Sequence, residues 1–334
     1  MKSPITGKEM ILIKERRSMD FRKEAFEIVF HYYKCEDSGE QFTTTSMDEV
    51  NMNQVYNQYR DRFNIPFPDE ITRTREKYGL SATKMSEVLG FGVNGYRLYE
   101  AGEMPSIANA NLIQLAGDPK VFMNMVDLSG SLDIKAKAKY MQRARQLMEE
   151  TKRNIHNLNV VSYLLGNYLP DIYSGYRSPN LEKFTGMMVY FSEIMAPFKT
   201  KMNKLLFYAD FLMFNRSGFS MSGMRYKAIP LGPVPNNFQS IFEYLSNKGE
   251  IDIEYIEFSN GNAGEKFIAK RDRPFKADLF TKYELEVLEK VAAEFRDKST
   301  DDIIKFSHNE EAWKKNEKNK NVISYEYAFE LKQI

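Results

Sequence analysis

The chain of 334 residues is long enough for two or three domains, and its 43% apolar and 13% aromatic residues are sufficient for buried cores. Its net charge of +1 gives no global field for nucleic acid or membrane, so any basic surface must be local. No apolar run approaches the roughly 20 residues that cross a bilayer, and the polar start lacks a signal-peptide core. We therefore expect a cytoplasmic protein without membrane association.

The first 45 residues contain two short knuckles, at positions 3–7 and 35–40, on either side of segments with strand character at 10–13 and 25–33. Four cysteines at positions 3, 6, 35 and 38 would form a zinc ribbon, but only Cys35 accompanies Ser3, Thr6 and Ser38. Serine and threonine are poor zinc ligands, a single cysteine excludes an intrachain disulfide, and the three histidines are widely separated (His31, His156, His308). The segment therefore predicts a degenerate ribbon that holds its shape by packing and binds no metal.

Residues 46–66 read as a connecting helix that can also dimerise, and residues 67–130 as a helical bundle. Pro68 suits a first helical position, so a helix is expected from there to about Lys77. Ser81 can cap a second helix, and Gly90 supplies the backbone freedom for a sharp turn into a third helix at 93–101. Two more short helices, at 107–116 and 119–126, would close the bundle. This order predicts a helix-turn-helix.

The third helix of this bundle carries the candidate base contacts. Tyr96 and Tyr99 are expected to pack with Phe91, which leaves Asn94 and Arg97 together on the other face. Asparagine suits adenine and arginine suits guanine in the major groove. Any small three-helix unit shows this periodicity, so the pattern alone leaves DNA binding and simple packing equally open.

The order of residues adds a resemblance. Leu80-Ser81, Leu89-Gly90, Tyr99 to Gly102 and Pro105-Ser106 resemble the Xre/Cro-type repressor family at matching spacings. The resemblance implies a scaffold pair between Arg75 and Glu100. The ribbon and the phrase Gly90 to Tyr96 together resemble antitoxins of the MqsA type, although Leu98 stands where that family has a base-contacting arginine. The resemblance carries Asn94 over directly as a DNA contact and leaves open whether Arg97, one position away, replaces the missing arginine. The candidate DNA contacts near the recognition helix are Thr83, Lys84, Val93, Asn94 and Arg97.

The near-neutral charge of this bundle argues against strong DNA binding by the bundle alone. Between Asp69 and Glu103, the basic residues Arg73, Arg75, Lys77, Lys84 and Arg97 are offset by Asp69, Glu70, Glu76, Glu87, Glu100 and Glu103. Phosphate neutralisation normally supplies most of the affinity, so this bundle needs a dimer or basic help from elsewhere. A basic helix at 133–153 offers Lys135, Lys139 and Arg143 on one face, and a solvated helix between domains is an equal alternative. We assign residues 131–180 to this helix and a linker, which is loop-like from Asn157.

Residues 181–334 read as a separate, mainly helical domain. Amphipathic helices are expected at 181–195 and 199–214, then a Gly-Pro-Val-Pro turn at 232–235, a helix at 237–247, a β-hairpin between 251 and 270 that turns at 261–264, and helices at 282–295 and 300–306. The sequence KLLFYADF at 204–211, that turn, and His308 with Trp313 resemble the SocA-like antitoxin domain, also called Panacea, over about residues 181–323. The resemblance implies a toxin-neutralising domain, and some relatives deliver a toxin to an ATP-dependent protease. The candidate partner contacts are Tyr208, Asp210, Arg225, Tyr226, Pro233, Val234, Pro235, His308 and Trp313.

Catalysis finds no support in the sequence. His308 with Glu310 and Glu311 is not a His-Glu-x-x-His zinc motif, because no second histidine follows four residues later. The chain has no phosphate loop, nucleophile elbow or Cys-His pair, so we predict no enzymatic activity, no catalytic residue and no cofactor. For His308 and Trp313, a structural role is the main alternative to partner contact, as it is for Tyr208 and Asp210.

The sequence thus predicts a mainly α (α+β) protein: a ribbon at 1–45, a connecting helix at 46–66, a helix-turn-helix domain at 67–130, a basic helix with linker at 131–180 and a SocA-like domain at 181–334. The predicted function is an antitoxin that binds a neighbouring toxin and represses its own operon as a homodimer on operator DNA. A transcriptional regulator with a partner-sensing domain and a proteolytic adaptor are the rival interpretations. Loss of DNA binding is a third, weaker one.

Overall fold

The computed structural model describes residues 1–258, 261 and 263–334, apart from the side chains of 154–158. Helices predominate, and the strands form small antiparallel sheets, which confirms the predicted fold class. The described chain divides into two compact units. We call Met1–Val55 with Tyr163–Ile334 the split unit, and Tyr56–Ser162 the inserted unit. The division into five segments stays a prediction.

The inserted unit is a helical bundle. It contains the second part of α1, five short helices and most of α7: α1 (Thr45–Phe63), α2 (Pro68–Glu76), α3 (Ala82–Leu89), α4 (Gly95–Glu100), α5 (Ile107–Leu115), α6 (Pro119–Leu128) and α7 (Ile134–Leu165). Its core includes Met85, Tyr96 and Phe122, which are fully buried, and Tyr140 of α7 joins them. The ring of Tyr78 stacks on Phe122 at 3.7 Å between centroids.

The split unit begins with the ribbon, a long antiparallel hairpin of β1 (Ile11–Phe21) and β2 (Glu24–Lys34) with a short third strand, β3 (Gln41–Phe42). Arg22 and Lys23 form the two-residue turn with φ of 49° and 69°, the left-handed backbone that suits the twist of a hairpin. From α1, the Asn51 side chain exchanges hydrogen bonds of 2.8 and 3.0 Å with the backbone of His31. The helix therefore pairs with the edge of β2 through a side-chain amide.

The rest of the split unit is built around α9, in which residues 201–214 are all buried. The surrounding elements are α8 (Leu181–Met195), α9 (Lys199–Ser217), β4 (Tyr226–Ile229), β5 (Gly232–Pro235), α10 (Phe238–Asn247), β6 (Asp252–Glu257), β7 (Ala263–Ile268), α11 (Lys282–Phe295), α12 (Thr300–Asn309) and α13 (Glu311–Lys314), with 3-10 turns at Ala277–Leu279, Glu317–Asn319 and Tyr325–Glu330. Strands β4 and β5 form one hairpin, and β6 and β7 form another. The second confirms the predicted β-hairpin, although residues 259, 260 and 262 of its turn lie outside the described residues.

The segment predicted as loop-like from Asn157 is different in the structure. Helix α7 continues to Leu165, because Leu164 and Leu165 find buried positions at its end. The residues that follow are tied into the fold: Ser220 N donates to Gly175 O at 2.9 Å, and Asn180 N donates to Ser222 O at 2.8 Å. A Cβ at Gly175 would lie 2.5 Å from the Ser220 side chain, so only glycine fits there. Residues 166–180 therefore do not form a free linker.

Among the described residues, no helix is both long enough and apolar enough to cross a membrane.

Candidate functional site

Helices α2 to α4 of the inserted unit have the local chemistry expected from the sequence. Pro68 opens α2. Ser81 Oγ caps α3 by accepting a hydrogen bond from Lys84 N at 3.2 Å, and Gly90 ends α3 in the left-handed conformation with φ of 72°. Helix α4 begins at Gly95 with Asn94 as its N-cap, two residues after the predicted start.

Packing among these helices also follows the prediction. Arg75 Nε donates to Glu100 Oε1 at 2.6 Å, and Arg75 also bonds the Leu80 carbonyl at 2.9 Å, so this pair holds α2, α3 and α4 together. The Phe91 ring lies 6.4 Å from Tyr96 and 5.7 Å from Tyr99. The predicted Arg75-Glu100 pair and the predicted packing of Phe91 with Tyr96 and Tyr99 are therefore present.

The predicted base contacts are exposed, except for the partly buried Lys84. Asn94 and Arg97 are exposed and hydrogen-bonded to each other, with Arg97 Nη2 to Asn94 Oδ1 at 3.0 Å. Val93 beside them is 73% exposed, and Thr83 on α3 is exposed as well. The exposed Asn-Arg pair presents amide and guanidinium donors from one helix turn.

The candidate phosphate contacts are less uniform. Lys84 is half-exposed and paired with Glu87 at 2.7 Å, a hydrogen bond that raises the pKa of the lysine. Lys135 and Lys139 on α7 are exposed. Arg143 differs from its predicted role, because its guanidinium bonds the Lys77 carbonyl at 3.1 Å and Glu150 at 3.0 Å. The structure gives Arg143 a helix-anchoring position and neutralises its charge.

In the split unit, the predicted partner contacts Asp210 and Tyr226 lie in the interior. The Asp210 carboxylate is fully buried and accepts hydrogen bonds from Met221 N at 2.8 Å, Ser222 N at 2.7 Å, Ser222 Oγ at 2.5 Å and Tyr226 OH at 2.8 Å. Burial raises its pKa, against the effect of these donors. The carboxylate fixes the loop between α9 and β4, and a partner cannot touch it in this conformation.

Tyr208 and the Pro233-Val234-Pro235 strand are interior as well. Tyr208 OH donates to Glu310 Oε1 at 3.3 Å, and the same carboxylate group accepts Lys332 N at 3.0 Å. All three residues of the strand are buried, and Lys204 Nζ donates to Pro233 O at 3.0 Å. These side chains have structural roles and do not contact a partner directly in this conformation, because they are buried below the surface.

Arg225, His308 and Trp313 are only partly buried. Arg225 lies over the Tyr168 ring at 3.9 Å and pairs with Asp171 at 2.5 Å. His308 stacks on Trp313 at 3.9 Å between ring centroids, and Trp313 Nε1 donates to Ile229 O at 2.8 Å. His308 and Trp313 therefore lie against the turn between β4 and β5. At the tip of this turn, Leu231 is 53% exposed.

The ribbon knuckles converge on Cys35, as their spacing suggests. Thr6 Oγ1 lies 3.3 Å from Cys35 Sγ. Hydrogen bonds from Ser38 foremost, then Thr6 and Ser3, lower the pKa of the Cys35 thiol to about 6. Across the described part of the chain, no three His, Cys, Asp or Glu side chains are grouped so that they could hold a metal ion.

Sequence reasoning missed Lys204, Ser222 and Glu310, whose polar groups lie in the interior of the split unit. Burial lowers the pKa of Lys204 to about 7, and its ammonium nitrogen donates to the Pro233 carbonyl. The available signal was a lysine inside an otherwise apolar helix stretch, because such a residue either reaches the surface or finds internal acceptors.

Comparison with known families gives one result for this region. Residues 202–314 match the family described as antitoxin SocA-like, Panacea domain. The match runs from α9 to α13 and so contains Asp210, Tyr226, Pro233 and the His308-Trp313 pair. The match supports the predicted SocA-like antitoxin domain in the C-terminal part of the chain. No curated protein and no solved structure matched the chain.

Proposed function

We propose that this protein is the antitoxin of a type II toxin-antitoxin system, acts in the cytoplasm, and neutralises a protein toxin by direct binding. The observation that carries this proposal is the antitoxin-domain match over residues 202–314. The domain acts by binding and not by catalysis. Its interior polar groups are used by hydrogen bonds within the fold, as Asp210 and Tyr208 illustrate.

The toxin contacts the turn between β4 and β5. Leu231 is an exposed apolar residue at the tip of a turn whose backbone is held in place. Trp313 donates to the Ile229 carbonyl of β4 at 2.8 Å, and Lys204 donates to the Pro233 carbonyl of β5 at 3.0 Å. A rigid apolar tip loses little conformational entropy on binding, which favours it as an anchor. Tyr208, Asp210 and Tyr226 are buried and do not touch the toxin in this proposal.

Co-expression with the product of the adjacent reading frame tests the proposal. The full chain should restore growth and co-purify with that product, and Leu231→Asp should weaken both. Leu169→Asp is the matched control, because Leu169 is 73% exposed elsewhere in the same unit. A neighbour that is harmless alone would favour a transcriptional regulator. Growth restored only when an ATP-dependent protease removes the toxin would identify an adaptor.

The inserted unit supplies operator binding and autorepression in this proposal, with α4 in the major groove of DNA. Its support is the exposed Asn94-Arg97 pair on one face of the helix. Arg97→Ala should weaken operator binding by about 1–3 kcal/mol and relax specificity at one base position. Arg73→Ala removes another exposed arginine, one paired with Asp69 on α2, and should change operator affinity little. Equal binding by wild type and Arg97→Ala would show that α4 does not read bases.

A further inference from the structure

The inserted unit has an apolar groove of about 350 Å³ between the end of α3, α5 and the end of α6. Its walls are mainly aliphatic and include Val88, Leu89, Leu112, Met125 and Leu128. Glu87 is the only charged residue that lines it, and Lys84 pairs with Glu87 at 2.7 Å. A groove with this lining favours an apolar occupant without net charge.

Apolar side chains also stand out of the surface beside this groove. Leu128 forms part of the wall and is nevertheless 84% exposed, and Leu115, one turn along α5 from Leu112, is 51% exposed. Helix α5 (IANANLIQL) contains no charged residue, in a chain with 28% charged residues. A surface helix in a monomer normally carries charge on its outer face. The outer face of α5 therefore has the character of a covered surface.

We propose that the groove binds Leu128 of a second copy of this chain, in a two-fold dimer in which each protomer gives one Leu128 and one groove. In a two-fold interface each patch meets a copy of itself, so a patch of one charge sign would repel itself. An uncharged groove beside a protruding leucine avoids that repulsion and is self-complementary. The patch thus fits a second copy better than it fits a charged partner.

This inference rests on the proposed operator binding, which needs a two-fold dimer on a palindromic site, and it names the surface that forms the dimer. A standard interface buries roughly 800 Å² per partner, more than one groove and a nine-residue helix are expected to provide. We therefore expect a weak dimer in solution, which operator DNA strengthens by holding both protomers.

Sedimentation of the full chain from about 1 to 100 μM tests the proposal. The wild type should show a reversible monomer-dimer equilibrium. Leu128→Glu and, separately, Leu112→Arg should each weaken self-association by about tenfold or more, because each places a charge in an apolar contact. Leu98→Glu is the control. Leu98 is an exposed leucine of the same unit that does not line the groove, so self-association should persist.

A mixture of the two variants gives the decisive result. A Leu128→Glu chain paired with a Leu112→Arg chain has one Glu-Arg contact. Its other contact keeps a wild-type Leu128 on a groove with wild-type Leu112, changed only at the exposed wall position 128. The mixture should therefore form dimers that neither variant forms alone. Because this rescue requires both variants to be folded, it separates loss of the contact from loss of the fold. Dimers that persist in each single variant, or a mixture that stays monomeric, would overturn the assignment of this surface.

The outcome is independent of toxin neutralisation, because Leu128→Glu lies in the inserted unit and should still restore growth. A wild type that is monomeric at all concentrations, yet neutralises its toxin, would refute the dimer surface alone. Failure of the wild type to neutralise would refute the antitoxin function alone. A groove that takes a small apolar probe such as 1-anilinonaphthalene-8-sulfonate in an always monomeric protein would also refute the second copy as occupant.

Discussion

Lys204 is a fully buried lysine whose only protein acceptor in the described hydrogen-bond network is a carbonyl oxygen, that of Pro233 at 3.0 Å. Burial lowers its pKa to about 7 from the ordinary value of 10.5. Between these two values the unfolded chain holds a proton that the folded chain does not. The free energy of unfolding should therefore rise with pH across this window, by at most about 1.4 kcal/mol per pH unit from this group.

Lys204→Met should remove that rise. Urea unfolding at pH 6.5, 8 and 9.5, followed by the fluorescence of Trp313, the only tryptophan, gives the comparison. The free energy of unfolding of the variant should increase relative to that of the wild type as pH falls, since methionine carries no buried charge. Lys305→Met, at an exposed position of α12, should leave the pH profile as in the wild type. Parallel profiles for wild type and Lys204→Met would mean that the ammonium stays charged when folded.

In the SocA-like domain, the sequence indicated which residues carry important polar groups but not whether those groups are exposed or buried. The sequence predicts Tyr208, Asp210 and Tyr226 as partner contacts, and the structure buries all three. Tyr226 bonds Asp210, whereas Tyr208 bonds Glu310. Spacing along a helix tells which residues share a face, but whether that face meets solvent or another helix depends on the rest of the chain. Helix α9 is buried on all sides, so its periodicity gave no such indication.

At the scale of elements, the side chains of Ser38, Thr6 and Ser3 gather around the Cys35 thiol. Thr6 Oγ1 and Cys35 Sγ are 3.3 Å apart, near the roughly 3.8 Å that separates two sulfur ligands when Zn-S is about 2.3 Å. The triple substitution Ser3→Cys, Thr6→Cys and Ser38→Cys should therefore create a site for one zinc ion per chain. Native mass spectrometry would count the zinc, and added zinc should raise the melting temperature of the variant.

The matched control for this prediction adds the same number of thiols where they cannot meet. Ser18→Cys, Thr43→Cys and Ser46→Cys are substitutions at exposed positions of the ribbon and of the start of α1. That chain should bind no zinc stoichiometrically. If it binds as much zinc as the first variant, the convergence of positions 3, 6, 35 and 38 is not a metal geometry.

Elements were predictable where a local signal marks their ends. Ser81 and Gly90 delimit α3 as expected, since capping depends on neighbours within a few residues. The end of α7 at Leu165 was missed, because buried places for Leu164 and Leu165 are supplied by distant parts of the chain. The same reason hides the role of residues 166–180, whose hydrogen bonds go to the loop at 220–222.

At the scale of the whole molecule, the sequence predicts the ribbon as a separate segment that precedes the helix-turn-helix bundle. The structure instead places the ribbon in one compact unit with the SocA-like region. Lys14 Nζ donates to Phe329 O at 3.0 Å, the His31 ring lies 4.9 Å from the Phe329 ring, and Asn53 Nδ2 donates to Ser217 O at 2.9 Å. Contacts that span from 164 to 315 residues of sequence leave no local pattern, which is why periodicity could not reveal them.

The ribbon should therefore stabilise the SocA-like region in the same compact unit. Removing residues 1–44 should lower the free energy of unfolding reported by Trp313 by about 2 kcal/mol or more, because Phe329 loses a packed ring and its carbonyl loses a charged donor. Lys14→Met should reproduce part of this loss, whereas Arg16→Met, at an exposed position of the same strand, should not. If the truncated chain and both variants unfold at the same urea concentration as the wild type, the ribbon contributes nothing to this unit. If the proposed function holds, such a loss of stability predicts that a C-terminal fragment alone neutralises toxin less well than the full chain.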